Sequence, residues 1–136
     1  MDEAVSLIWY LENVFYQSFG NTYDYIKENV FNNKDFNNNL MSVGFWPGGD
    51  RDGNPFVTPE ITLQVAERLK RTIIKNYYRD IRELKRRLTF KGVEDKLINI
   101  QDKLHEYIFL RNSKNTFSSK HLMDGLQQIK LIIIKD

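Results

Sequence analysis

Within residues 44–58, GFWPGGDRDGNPFVT, two carboxylates flank a guanidinium: Asp50, Arg51 and Asp52. A guanidinium presents a planar fork of donors that suits phosphate and carboxylate anions. Its acidic neighbours can order it or other basic groups. Gly48, Gly49 and Gly53 let the backbone turn tightly or approach a ligand closely. Asn54-Pro55 imposes an extended or turn conformation before the next element, because a residue ahead of proline disfavours helix. The plain reading of the same residues is a turn, with Asp50 or Asp52 accepting backbone N–H bonds. Composition alone weighs the two readings evenly. Gly53 falls at the wrong step for an EF-hand, and no G-K-[ST] follows, so a calcium loop and a P-loop are poor fits.

The elements around this segment follow from periodicity. Residues 2–19 read as a helix, with Asp2 and Glu3 in its first turn and Val5, Ile8, Trp9, Phe15 and Phe19 at helical spacing. Leu7, Leu11 and Val14 add apolar groups on a second face, and a helix apolar on most sides expects burial on most sides. Gly20-Asn21 reads as a stop, with a shorter helix over 22–31 and a polar linker over 32–39. Residues 40–45 read as one short strand, and 46–58 as the loop that leaves it. Thr58-Pro59-Glu60 is a helix start: a cap, a proline suited to the first position, and an acid for the dipole. Ile61, Val65, Leu69, Ile73, Tyr77, Ile81, Leu84 and Leu88 carry that helix over 59–89, with Gly92 as its cap. Leu97, Ile100, Leu104 and Ile108 predict a helix over 93–111, and Leu122, Leu126, Ile129 and Ile133 another over 119–135.

The fold class is therefore mainly α, long antiparallel-type helices with one short strand. A lone strand needs ladder partners that this chain does not supply. The over-apolar first helix, the orphan strand and the apolar end at 131–134 together predict truncation, with 1–136 a single fragment of a larger chain.

Composition narrows the classes. With 136 residues, 41% hydrophobic and a formal net charge of +2, the chain suits one domain or part of one, without the strong field that nucleic acid or an anionic membrane would ask for. There is no cysteine, which excludes disulfides, thiol nucleophiles and Cys-ligated zinc. No apolar run reaches the roughly 18 residues of a membrane span, and the acidic start is unlike a secretory signal. Between residues 59 and 91, ten Lys/Arg face four Asp/Glu; the expected reading is a solvated face, or one paired with the acidic first helix. His105 reads as a boundary residue, and Trp9 and Trp46 as core or loop anchors.

The run GGDRDGNP, Gly48 to Pro55, followed by Val57-Thr58 and a long helix, resembles the F-x-S-W-M-G-G-D-R-D-G-N-P-x-V-T segment of phosphoenolpyruvate carboxylases. The N-terminal MDEAVSLIWYLENVFY is similar to the helix preceding that segment, and the order of elements agrees over most of the chain. Pro47 stands where many members have Met. The resemblance implies a parent lyase that carboxylates phosphoenolpyruvate with bicarbonate to oxaloacetate and phosphate, through carboxyphosphate and an enolate. That is carbon dioxide fixation supplying the tricarboxylic acid cycle. It implies a cytoplasmic homotetramer, mostly helical around an eight-stranded barrel that would include residues 40–45, using Mg²⁺ or Mn²⁺ and controlled by metabolites.

The family's catalytic His belongs to an upstream T-A-H-P-T-type motif, which neither His105 in KLHEY nor His121 in SKHLM matches. Its metal ligands and catalytic Lys belong to later segments. The fragment alone is therefore expected to be inactive and to bind no metal, with the remainder of the parent chain as its partner. The resemblance makes Gly48, Gly49, Asp50, Arg51, Asp52, Gly53, Asn54 and Pro55 an active-site-proximal loop, with Arg51 near substrate anions. The alternative is a stand-alone helical binding module whose basic helix contacts an anionic partner.

Overall fold

The computed structural model describes residues 2–34, 41–50, 52–110 and 119–135. Among them the chain is all-helical. Contacts divide it into two compact units, Met1–Thr72 and Ile73–Asp136, with the boundary inside one long helix.

In the first unit, α1 (Asp2–Tyr10), a π-helical stretch (Leu11–Phe15) and α2 (Tyr16–Asn29) follow one another without a break. The Tyr16 N–H donates to the Leu11 carbonyl, the i to i+5 bond that defines the wider turn. The stop expected at Gly20-Asn21 is not there. An interior glycine costs about 1 kcal/mol relative to alanine, too little to end a helix by itself. Side chains bridge the site: Thr22 Oγ1 donates to the Ser18 carbonyl at 2.8 Å, and Gln17 Nε2 to Asn21 Oδ1 at 3.1 Å. Phe15 and Phe19 stack with centroids 5.9 Å apart. Asn32 and Asn33 end the element instead, at φ 50° and 63°, a left-handed conformation that asparagine tolerates. Ala4 and Ile8, one turn apart, are buried, whereas Val5, Leu7, Trp9, Tyr10, Val14 and Phe15 remain exposed.

The strand expected over 40–45 is also corrected. Residues 41–45 are irregular, and Leu40 lies outside the described residues. Met41, Val43 and Phe45 alternate as a strand would, but alternation supplies no ladder partner, and a backbone without one does not become a strand.

The second unit is built from the C-terminal part of α3 (Pro59–Arg87), α4 (Glu94–Phe109) and α5 (Ser119–Lys135). Ile74 and Ile81 of α3, Val93, then Leu97, Ile100, Leu104 and Ile108 of α4, with Leu122 and Ile129 of α5, form one aliphatic cluster. The spacing of three and four residues on α4 puts its four members on one stripe. Gly125 allows α4 and α5 to approach: a Cβ there would lie 2.8 Å from Ile100 Cδ1. Lys96 Nζ donates to Gln128 Oε1 at 2.8 Å across the same pair. Tyr77 packs against the cluster.

Gly92, at φ 83°, does not cap α3, which ends at Arg87; it shapes the turn that enters α4, where the Val93 N–H donates to the Phe90 carbonyl. Glu94 and Asp95 then complement the dipole of α4.

Candidate functional site

The loop of residues 46–58 is tied to the first turns of α3 within the first unit. The Gly49 N–H donates to the Trp46 carbonyl at 2.9 Å, closing a turn through Pro47 and Gly48. Gly48 sits at φ +80°, and a Cβ on it would lie 2.7 Å from Val65 Cγ2 and 3.1 Å from Val65 Cβ. Both facts require glycine: the left-handed φ penalises a side chain, and there is no room for one. The Gly48 carbonyl accepts from Thr62 Oγ1 at 2.7 Å. Thr62 and Val65 are three apart on α3, so one face of the helix supplies a hydrogen bond and a buried methyl surface to the same glycine.

Beyond this anchor the loop makes its own turns. Asp50 Oδ1 accepts the Gly53 N–H at 3.1 Å, and a Cβ on Gly53 would crowd Asp50 Oδ2 at 3.0 Å. Asn54 follows the same pattern, its Oδ1 accepting the Phe56 N–H at 3.0 Å and its carbonyl accepting the Val57 N–H at 3.0 Å. Thr58 Oγ1 caps α3 by accepting the Ile61 N–H at 3.4 Å, a long bond. Asp50 is half-buried, while Asp52, Gly53, Asn54 and Pro55 are exposed. Arg51 lies outside the described residues.

The turn chemistry considered for Asp50 is thus present. Thr62 and Val65 escaped the sequence reading as parts of the site; their signal is that they follow Thr58 at four and seven residues, on the side of α3 where the loop arrives. The aromatic side chains differ from expectation. Trp46 is 73% exposed and Phe56 80%, and Trp9 is 55% exposed, so neither tryptophan is a buried anchor. Among the described residues no three His, Cys, Asp or Glu side chains converge as a metal donor set. Nor is any described helix long and apolar enough to cross a membrane.

The family model described as phosphoenolpyruvate carboxylase matches residues 1–130, and the chain belongs to that family. The phosphoenolpyruvate carboxylase of Pisum sativum is 34% identical over 96 residues, covering 71% of this chain and 9% of the relative. That of Medicago sativa is 35% identical over 96 residues, with the same coverage of 71% and 9%. The Rhodothermus marinus enzyme is 50% identical over 44 residues, covering 32% of this chain and 5% of the relative. The chain spans about a tenth of the length of the curated relatives it matches. No solved structure matches it significantly.

Proposed function

We propose that the chain is one segment of a phosphoenolpyruvate carboxylase, and that residues 46–58 lie at the mouth of the parent active site. The observation that carries this reading is the unbroken GGDRDGNP run, Gly48 to Pro55, inside a family match over residues 1–130. The parent reaction joins bicarbonate to phosphoenolpyruvate and releases oxaloacetate and phosphate. Its substrates and product are anions, and Arg51 is the group in the loop suited to them. Asp50 closes the turn of residues 50–53 through the Gly53 N–H, so it acts as a positioning residue. Asp52, exposed beside Arg51, has the charge to order that guanidinium. Gly48 fixes where the loop rests against α3, because its carbonyl and its bare Cα both contact that helix.

The Mg²⁺ or Mn²⁺ of the parent reaction does not fit the described residues of this chain, whose loop carboxylates form no three-ligand group. The metal ligands, the catalytic His and the catalytic Lys are assigned to the remainder of the parent chain. Residues 41–45, irregular here, would gain their ladder partners in the parent barrel and become a strand there. The parent is a cytoplasmic homotetramer under metabolite control.

The test is to read the gene beyond codon 136 and to assay its full product for bicarbonate-dependent formation of oxaloacetate and phosphate from phosphoenolpyruvate. Carboxylase motifs downstream and turnover are expected. A natural stop codon at that point, or a full product without this activity, would overturn the reading.

A further inference from the structure

The chain holds two Asp-Gly dipeptides, Asp52-Gly53 in the loop and Asp124-Gly125 in α5. In such a pair the glycine puts no side chain in front of its amide nitrogen, and that nitrogen lies within reach of the preceding side-chain carboxyl. Reaction requires the nitrogen to swing over the carboxyl carbon. An irregular backbone permits that movement, and a helix held by its hydrogen-bond ladder does not.

The two dipeptides differ in this respect. Gly125 is the seventh residue of α5, past the first turn, so its N–H is committed to the ladder. Its Cα also lies against α4, where a Cβ would come within 2.8 Å of Ile100 Cδ1, which leaves the backbone little room to rotate. Asp52 and Gly53 are both exposed, in a bend outside any helix. One contact restrains them, the Gly53 N–H donating to Asp50 Oδ1 at 3.1 Å, and that bond is itself exposed to solvent. Exposed hydrogen bonds in short turns are among the first to open. The neighbouring positions are less suited to the same chemistry: Asn54 precedes Pro55, which has no N–H, and Asp50 precedes an arginine rather than a glycine.

We propose that Asp52 is a site of spontaneous conversion to isoaspartate through Gly53, and that Asp50 slows the conversion by holding the Gly53 N–H. The Gly53 nitrogen attacks the Asp52 side-chain carboxyl carbon. A C–N bond forms, a C–O bond breaks, and the amide proton leaves with the carboxyl hydroxyl as water, closing a succinimide. Water then adds back to the ring. Opening at the side-chain carbonyl restores aspartate; opening at the main-chain carbonyl leaves the chain running through the side chain, one methylene longer. While the N–H donates to Asp50 it keeps its proton, as a protected amide does in hydrogen exchange. The longer chain displaces Gly53 from Asp50 and undoes the turn of residues 50–53. The assignment does not rest on the carboxylase reading, since isoaspartate is detected without turnover.

The test ages the full-length protein at physiological temperature and neutral pH, then digests it with a protease that cuts after lysine. Asp52 falls in the peptide 35–70 and Asp124 in the peptide 121–130. Electron-transfer fragmentation distinguishes isoaspartate from aspartate in each. In the native protein isoaspartate should accumulate at Asp52 and stay near its starting level at Asp124. In urea the two rates should converge, because the helix no longer holds Gly125. Asp50→Ala should speed the conversion at Asp52 roughly tenfold, the factor for losing one hydrogen bond. Asp50→Asn, which keeps the acceptor, should stay near wild type. Equal native rates at Asp52 and Asp124, or no isoaspartate at either, would overturn the site. No acceleration in Asp50→Ala, or equal acceleration in Asp50→Asn, would overturn the role of Asp50. Circular dichroism confirms that the variants fold, and the wild-type comparison of Asp52 with Asp124 decides the site without them.

Discussion

The loop of residues 46–58 is ordered by hydrogen bonds to backbone, whereas the cluster between Ile74 and Ile129 is ordered by aliphatic packing. In the loop each residue type answers a local demand: Gly48 a left-handed φ, Asp50 and Asn54 an unpaired N–H, Thr58 an open helix end. In the cluster no residue is special, and position on the stripe matters instead. The loop therefore tolerates little change of type and contributes little stability. The cluster tolerates exchange of similar aliphatics but not loss of volume.

Removing volume from the cluster should have the largest effect. Leu104 is fully buried, and Leu104→Ala should cost about 2–5 kcal/mol, read from a urea transition of the second unit. A loss below about 1 kcal/mol would mean that the helices are not packed through this stripe. Gly48→Ala should come next, at about 1–3 kcal/mol for the strained φ alone, seen as faster hydrogen exchange in the loop. Added Val65→Ala should recover the part due to the clash with Val65 and not the part due to φ. If the two substitutions simply add, Gly48 does not rest on α3. Asp50→Ala should cost about 1 kcal/mol and speed exchange of the Gly53 amide, while Asp50→Asn keeps the acceptor and should change it little. Equal effects of the two would assign Asp50 a charge-dependent role in place of a turn. Thr58→Ala should be smallest, about 0.5 kcal/mol, because its capping bond is long, and it should fray only the first turn of α3.

Much of the support was legible in the sequence because it is periodic. The stripe from Leu97 to Ile108 and the Thr58-Pro59 start of α3 stand in the structure much as spacing and capping chemistry predict. Two of the readings that failed did so for one reason, the use of a local signal for a property set elsewhere. Gly20 reads as a breaker, yet the hydrogen bonds on either side of it continue the helix. Met41, Val43 and Phe45 alternate as a strand, but whether a strand forms depends on partners. The π-helical turn at Leu11–Phe15 left no signal in composition. In the loop, the run of residue types identified the family, while the seat of Gly48 on Thr62 and Val65 emerged only from the geometry, since a glycine does not say what it touches.

The proposal that this loop lies at the parent active site rests finally on Arg51. The decisive measurement is steady-state carboxylation of phosphoenolpyruvate by the full-length protein carrying Arg51→Ala. The account predicts a fall in kcat/KM of roughly 100-fold, the scale for removing one donor from a developing anionic centre, with the urea transition of the second unit unchanged. Wild-type kcat/KM in that variant would contradict the placement of this loop at the active site.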